Sequence, residues 1–354
     1  MDARRLLAFV LLALGQSSCG KPDADEADTE STAASTTGVA DASTVTTSAT
    51  STDETSSAHS DSGKAGGSTG EDDPTSGASS SGEPGSEGIV DTVQLSEPYG
   101  FDGLYMDPRG VLFGAGGWQD DAVVRIGDDG TISPFSTGHG GPIHLTLGGD
   151  GFYYVTNYTD NTLRRVPPDG GAPTTIATGL DGPSGAVTAA DGTVYFVGWG
   201  VEGNTGRFLY RVTEDGDVVV HVDGEGLQVP QGLAADERGN LYVANAVDGR
   251  VHRVAPEGTV SLLGQLPSGA NYNVAHMLYG NGRLYATGGE NNVIYAIELD
   301  GAATFWGTGD AETIDGPLEQ AAFDRPGGLA LSPDGTTLWV SGGGGTSLRR
   351  IRFN

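Results

Sequence analysis

The chain has 354 residues and a formal net charge of −29 at pH 7, from 47 acidic and 18 basic side chains. So few Lys and Arg exclude a protein that grips nucleic-acid phosphates. A single cysteine excludes an intramolecular disulfide framework.

Residues 1–18 read as a secretion signal. Arg4 and Arg5 precede a short apolar run, Leu6 to Leu14, with small residues after it; the run is too short to cross a bilayer as a mature helix. Cys19 follows directly. The arrangement resembles the lipobox of bacterial lipoproteins, in which the cysteine is lipidated and becomes the mature N-terminus. Ser17 and Ser18 fit that pattern, whereas Gln16 stands where the family usually has Leu. The resemblance implies removal of 1–18, a lipid on Cys19, and a place in the cell envelope, with Gly20 after the cysteine favouring the outer membrane. An ordinary secretory signal with an incidental cysteine is the alternative.

Residues 19–90 form the second segment. Between 21 and 90 there is no Phe, Trp or Tyr, 27 of the 70 residues are Ser or Thr, and acids outnumber bases 14 to 2. Such a stretch cannot bury enough apolar surface to offset its ordering entropy. It is expected to be a disordered acidic tether.

The remainder, 91–354, is six imperfect copies of one unit. The units begin near Phe101, Pro142, Pro183, Pro230, Tyr272 and Pro326, at spacings of 41, 41, 47, 42 and 54 residues. Each holds an inner apolar strand, an Asp-Gly-type turn, and an aromatic second strand such as FYYVTN (152–157) or LWVSGG (338–343). A third strand with a basic residue follows, such as TLRRV (162–166). One unit cannot bury both its faces, but several stacked radially can. The pattern predicts an all-β, six-bladed propeller with four-stranded antiparallel blades; an open β-solenoid is the competing architecture. The last unit stops at its third strand, at Asn354, and 92–96 (TVQLS) resembles the fourth strands TVSLL (259–263) and TISPF (131–135). Residues 92–96 are therefore expected to complete blade six and close the ring.

The repeats resemble the NHL-repeat family, most clearly in DGPLEQAAFDRPGGLALSPDG (315–335). More loosely, they resemble the six-bladed gluconolactonase (SMP-30-type) and streptogramin-lyase-type propellers. These families include enzymes, binding modules and scaffolds, so the resemblance implies the fold and leaves the function open.

A site is expected where the between-blade segments and the loops from second to third strands share one rim around the channel mouth. That rim carries Trp118, Asp120, Asp121, Tyr158, Trp199, Glu202, Asn245, Asp248, Tyr272 and Glu290. Tryptophan in Gly-rich polar loops suggests a ligand surface, although each Trp can equally cover its own blade. Trp306 and Trp339 read as core. Arg125, Arg165, Arg211, Arg253 and Arg350 recur at one repeat position, which favours structure over binding. The favoured function is a tethered, monomeric binding module for a protein, peptide or glycan, without a cofactor.

Two enzyme alternatives rest on resemblance. Gluconolactonase-like propellers hold a divalent metal through Glu, Asn and Asp, which implies Glu97, Asn273 and Asp324 around Ca²⁺ or Mg²⁺. The family's Glu-Gly-Pro segment appears here only as Glu97-Pro98. Streptogramin lyases use a histidine base in a Mg²⁺-dependent elimination, for which His139, His144 and His276 are the candidates by position. No phosphate cradle, nucleophile elbow or His-Glu-x-x-His pair is present.

Overall fold

A computed structural model of the chain describes residues 88–201, 205–267, 274–343 and 345–354. The signal, the tether and Cys19 lie outside them. The described residues contain strands and turns and no helix, in six sheets.

The first strand, β1 (Gly88–Gln94), belongs to the last blade. Blade one is β2 (Gly103–Met106), β3 (Leu112–Ala115), β4 (Ala122–Ile126) and β5 (Ile132–Thr137). Blade two is β6 (Pro142–Leu147), β7 (Tyr153–Asn157), β8 (Thr162–Val166) and β9 (Thr174–Ala177). Blade three is β10 (Pro183–Thr188), β11 (Val194–Gly198), β12 (Phe208–Val212) and β13 (Val218–Asp223). Blade four is β14 (Pro230–Ala235), β15 (Leu241–Asn245), β16 (Arg250–Val254) and β17 (Val260–Gln265). Blade five is β18 (Val274–Gly280), β19 (Arg283–Gly288), β20 (Val293–Ile297) and β21 (Ala303–Trp306). Blade six combines β22 (Gly316–Pro317), β23 (Leu329–Leu331), β24 (Thr337–Ser341), β25 (Ser347–Phe353) and β1 in the order β22-β1-β25-β24-β23. The inner strands β2, β6, β10, β14, β18 and β23 neighbour one another in turn and return to β2, which makes the ring.

The core lies between blades. Successive side chains on a strand point to opposite faces, so each blade feeds two cores. Leu338 and Val340 of β24 pack toward blade five, with Tyr285 and Ile294, while Trp339 between them packs toward blade one, with Leu104 and Val124. Six buried apolar clusters fill the six gaps between blades. Trp306 and Trp339 sit in two of them. The recurring arginines are held by their surroundings. Arg125 lies 4.6 Å from the Phe135 ring centroid, Arg165 lies 3.6 Å from that of Phe152, and Arg350 pairs with Asp91 at 2.5 Å. Arg253 donates to Asn240 Oδ1, and Arg211 is exposed at the same register.

The closing strand runs from Gly88 to Gln94 rather than over 92–96, and pairs residue by residue with β25, from Gly88↔Phe353 to Gln94↔Ser347. The closing strand therefore starts before the expected boundary at 91. Val90 and Val93 of β1 enter two different interblade cores. The sixth repeat also starts late. Residues 307–326 cross over the blade instead, and Gly316–Pro317 pairs along the outer side of β1. Leu318 and Phe323 anchor this strap in the core. Arg349, 3% exposed, donates to the carbonyls of Ile314 (2.6 Å) and Ala322 and to Asp315 Oδ1 (2.9 Å). Thr92 Oγ1 donates to the same Asp315 oxygen at 2.7 Å. The strap makes the closing strand an interior strand and removes the blade's open edge.

Candidate functional site at the channel mouth

The geometry of the mouth follows from how inner strands approach the axis. Hydroxyls on three second strands rivet neighbouring blades together. Thr156 Oγ1 accepts the His144 amide and donates to the Ser184 carbonyl of blade three (2.6 Å). Thr287 Oγ1 accepts the His276 amide and donates to Gly327 O of blade six (2.7 Å). Ser341 Oγ accepts the Gly328 amide and donates to Phe101 O at the start of blade one (3.1 Å). The shared pattern places His144, His276 and Gly328 at equivalent positions. At that level blades one and six have Gly103 and Gly328, where a Cβ would fall 2.3 Å from Ile143 O and 2.4 Å from Leu104 N. Only blades two and five place a side chain there, and both are histidines.

His144 and His276 come from opposite blades and stack at 4.8 Å between ring centroids, 23° from parallel. They are 8% and 3% exposed. The His144 tautomer follows from its neighbours: Nδ1 accepts the Ala186 amide at 3.3 Å, which leaves Nε2–H to donate to Leu104 O at 3.2 Å. The His276 ring bonds the backbone carbonyl of Asp102. Burial pushes His144 down to about 4. Burial, and then the facing His144, push His276 well below its usual value. Both rings are neutral at pH 7.

Asp102, at the start of blade one, is the group the sequence reading passed over. Its carboxylate accepts the Trp118 amide. Its Oδ2 is closed off from water without a hydrogen-bond partner among the described residues. Gly117, at φ +88°, brings the 116–121 loop so close that a Cβ there would sit 2.7 Å from Oδ2. Burial raises the carboxyl to about 6, against the pull of the Trp118 amide. Beside it the Tyr99 phenol is pushed up by burial and by Asp120, Asp121 and Glu97.

His139 lies on the rim, 5% exposed, with Nδ1 3.1 Å from Asn157 Oδ1 and Nε2 2.9 Å from Ser136 Oγ. Burial lowers it to about 4. The order Ser–His–Asn is that of a nucleophile, its base and an orienting group, but Ser136 is 2% exposed and donates to Gly171 O at 2.7 Å. The constellation ties the β5 end to blade two.

The aromatic and acidic rim divides by exposure. Asp121 and Glu290 are exposed, whereas Trp118, Asp120, Tyr158 and Asp248 are half-buried. Thr159 Oγ1 donates to the Trp118 carbonyl at 2.6 Å and fixes that loop. Asp248 accepts the Arg250 amide at 3.0 Å. Trp199 and Asn245 are turned inward. Trp199, 8% exposed, packs with Val229, Ala246 and Tyr158, the Tyr ring edge-on at 5.7 Å. Asn245 is fully buried, accepting from the Gln228 amide and donating to Gly226 O, both at 3.0 Å. Glu202, Tyr272 and Asn273 lie outside the described residues.

Of the resemblance-derived metal set, Glu97 and Asp324 are among the described residues and Asn273 is not. Glu97 is exposed, and Asp324 bonds Arg325 Nε at 3.2 Å. Among the described residues no three His, Cys, Asp or Glu side chains converge to hold a cation. No step is therefore routed through a metal.

Solved structures similar to this one share the ring. Virginiamycin B lyase from Staphylococcus aureus superposes with a TM-score of 0.56 at 17% identity, over 76% of this chain and 100% of that one. A gluconolactonase from Xanthomonas campestris superposes with a TM-score of 0.58 at 16% identity, over 75% and 90%. The fold is that of the streptogramin B lyase and gluconolactonase-like six-bladed propellers. Among curated proteins, the virginiamycin B lyase of Nocardia farcinica is 31% identical over 183 residues, 49% of this chain and 59% of that protein. The chain thus matches somewhat over half the length of this relative. No protein-family model matches the chain. At these identities the lyase-like propellers share the fold, and the chemistry has to be argued from the mouth itself.

Proposed function

We propose that the protein is an enzyme of the lyase kind, acting at the channel mouth, with Asp102 as the group that accepts a proton from the substrate. The observation that carries this reading is the half-buried Asp102, whose Oδ2 has no hydrogen-bond partner among the described residues and whose carboxyl is held near 6 by burial. A base poised close to neutrality is what proton abstraction needs. His144 and His139 serve less well, because both nitrogens of each ring are already engaged. The relative's name supports virginiamycin B as the first substrate to try, and the fold neighbours support a lactone as the second. Purified full-length protein is incubated with each, with and without a chelator. Turnover is expected to have an acidic limb near pH 6 and to fall about 100-fold or more in Asp102→Asn; its response to the chelator reads whether a divalent cation takes part. No turnover of either compound, or an unimpaired Asp102→Asn, sinks the reading.

A binding module for a protein, peptide or glycan is the second reading, favoured by the half-buried Trp118 beside Asp120 and Asp121 at the rim. It separates from the first because a binding module retains its ligand in Asp102→Asn and loses it in Trp118→Ala.

The same proposal places the enzyme in the cell envelope, held by lipid on Cys19. The charged apolar leader and the lone cysteine support this. Wild type is expected in the membrane fraction and Cys19→Ala in the soluble one; two soluble proteins would remove the anchor.

A further inference from the structure

We infer that the His144–His276 pair is an acid-labile bolt across the central channel, and that protonating it loosens the inner strands on which the mouth is built. The regulatory part rests on the Asp102 reading above; the bolt itself does not.

The pair is the one place, at its level of the channel, where side chains from opposite blades meet. Its bonds reach farther than its own blades. His144 of blade two holds Leu104 O of blade one and the Ala186 amide of blade three, and His276 of blade five holds Asp102 O of blade one. Four inner strands are thus joined through two rings. The arrangement requires neutral imidazoles. A protonated His144 carries hydrogens on both nitrogens, so Nδ1 can no longer accept the Ala186 amide and two N–H groups face each other. A proton on His276 as well sets like charges 4.8 Å apart with little water between them.

No other charge relieves this. The elements around the rings present backbone at Leu104, Ala186 and Asp102. The titratable groups there are the two histidines and Asp102, whose carbonyl, not its carboxylate, faces His276. Burial keeps His144 unprotonated until the medium approaches about pH 4, and burial beside His144 holds His276 well below its usual value. Because His276 bonds the backbone of Asp102, release of the ring also releases the candidate base. The bolt would shut the enzyme off in strong acid by geometry, in addition to the titration of Asp102.

Hydrogen–deuterium exchange of the full chain, corrected for the chemical rate at each pH, tests this. Wild type is compared with His276→Phe, which keeps a ring in the stack and removes the second charge. Between pH 5.5 and 4, peptides from β2 and β10 in wild type are expected to lose protection by about tenfold or more, while the outer strand β13 holds. In His276→Phe that selective loss shrinks. Uniform loss across inner and outer strands, or the same selective loss in both proteins, overturns the bolt. If His276→Phe does not fold, His144→Phe gives the same comparison. Asp102→Asn is expected to keep the acid-labile exchange, so a failed catalytic reading and a failed bolt give different results.

Discussion

A chain starting at residue 98 is expected to lose cooperative melting, whereas one starting at residue 88 melts like the full-length protein. The first removes all seven pairs between β1 and β25 and strips the strap of its partner strand. It also withdraws Val90 and Val93, 1% and 8% exposed, from two separate interblade cores. Each valine contributes about 2 kcal/mol through burial, and Arg349 and Asp315 lose the Thr92 side of their network. The total, at least about 5 kcal/mol with the lost ladder, is comparable to the whole stability of many domains. A start at residue 91 removes Val90 and half the ladder and should fall between. Thermal melts of the three truncations check the order. Equal midpoints for starts at 88 and 98 would show that the ring closes without its N-terminal strand.

The second large effect is acid destabilisation above the range in which carboxylates ordinarily unfold proteins. His139 and His144 are held near 4 in the folded state, against about 6.5 when unfolded. A depressed histidine means that the unfolded chain takes up protons first, so stability is full above about pH 6.5 and falls as pH drops toward 4. Each of the two removes roughly 3 kcal/mol over that window, and His276 acts in the same direction. Asp102 works the other way: raised to about 6, it costs stability at pH 7 and returns roughly 2 kcal/mol as it protonates. The histidines win, with a net loss of about 3 kcal/mol or more by pH 4.5, equivalent to a fall in Tm of roughly 10 °C. Melting curves at pH 7 and 4.5 measure it. A constant Tm would mean that the three rings are not buried as neutral groups.

The architecture was readable because a propeller repeats its instructions. Period-two strands such as LWVSGG appear six times, each after a turn of the Asp-Gly, Asp-x-x-Gly or Asn-Gly kind, and errors in one copy are corrected by the others. The closing strand was readable too, but its bounds slipped by several residues because GIVD (88–91) runs on from a Ser/Gly-rich stretch whose many turn residues give no single mark for its start. The strap was missed for a different reason: 307–326 has no periodicity, and its burial depends on Arg349, 23 residues or more away in sequence. The site was the least legible part. Trp199 looks like a ligand surface in a Gly-rich loop, yet the loop folds it onto Val229 and Ala246 of the next blade. The His–His pair joins residues 132 positions apart, and no single repeat contains both. Setting the six inner strands in register does show it, because His144 and His276 then fall in a column otherwise occupied by glycine, and Asp102 stands where other blades carry Ile, Ser, Gln, Ala or Gly.

The direction of β1 settles which way the mouth looks. Ser347 follows the loop between second and third strands, on the same side as Trp118, and Phe353 ends beside the 332–336 turn, where its amide donates to Thr336 O. Gly88 pairs with Phe353, so Gly88 and the C-terminal strand end lie on the side away from the mouth. A cargo fused after Asn354 would therefore sit on that rear side and leave the opening uncovered.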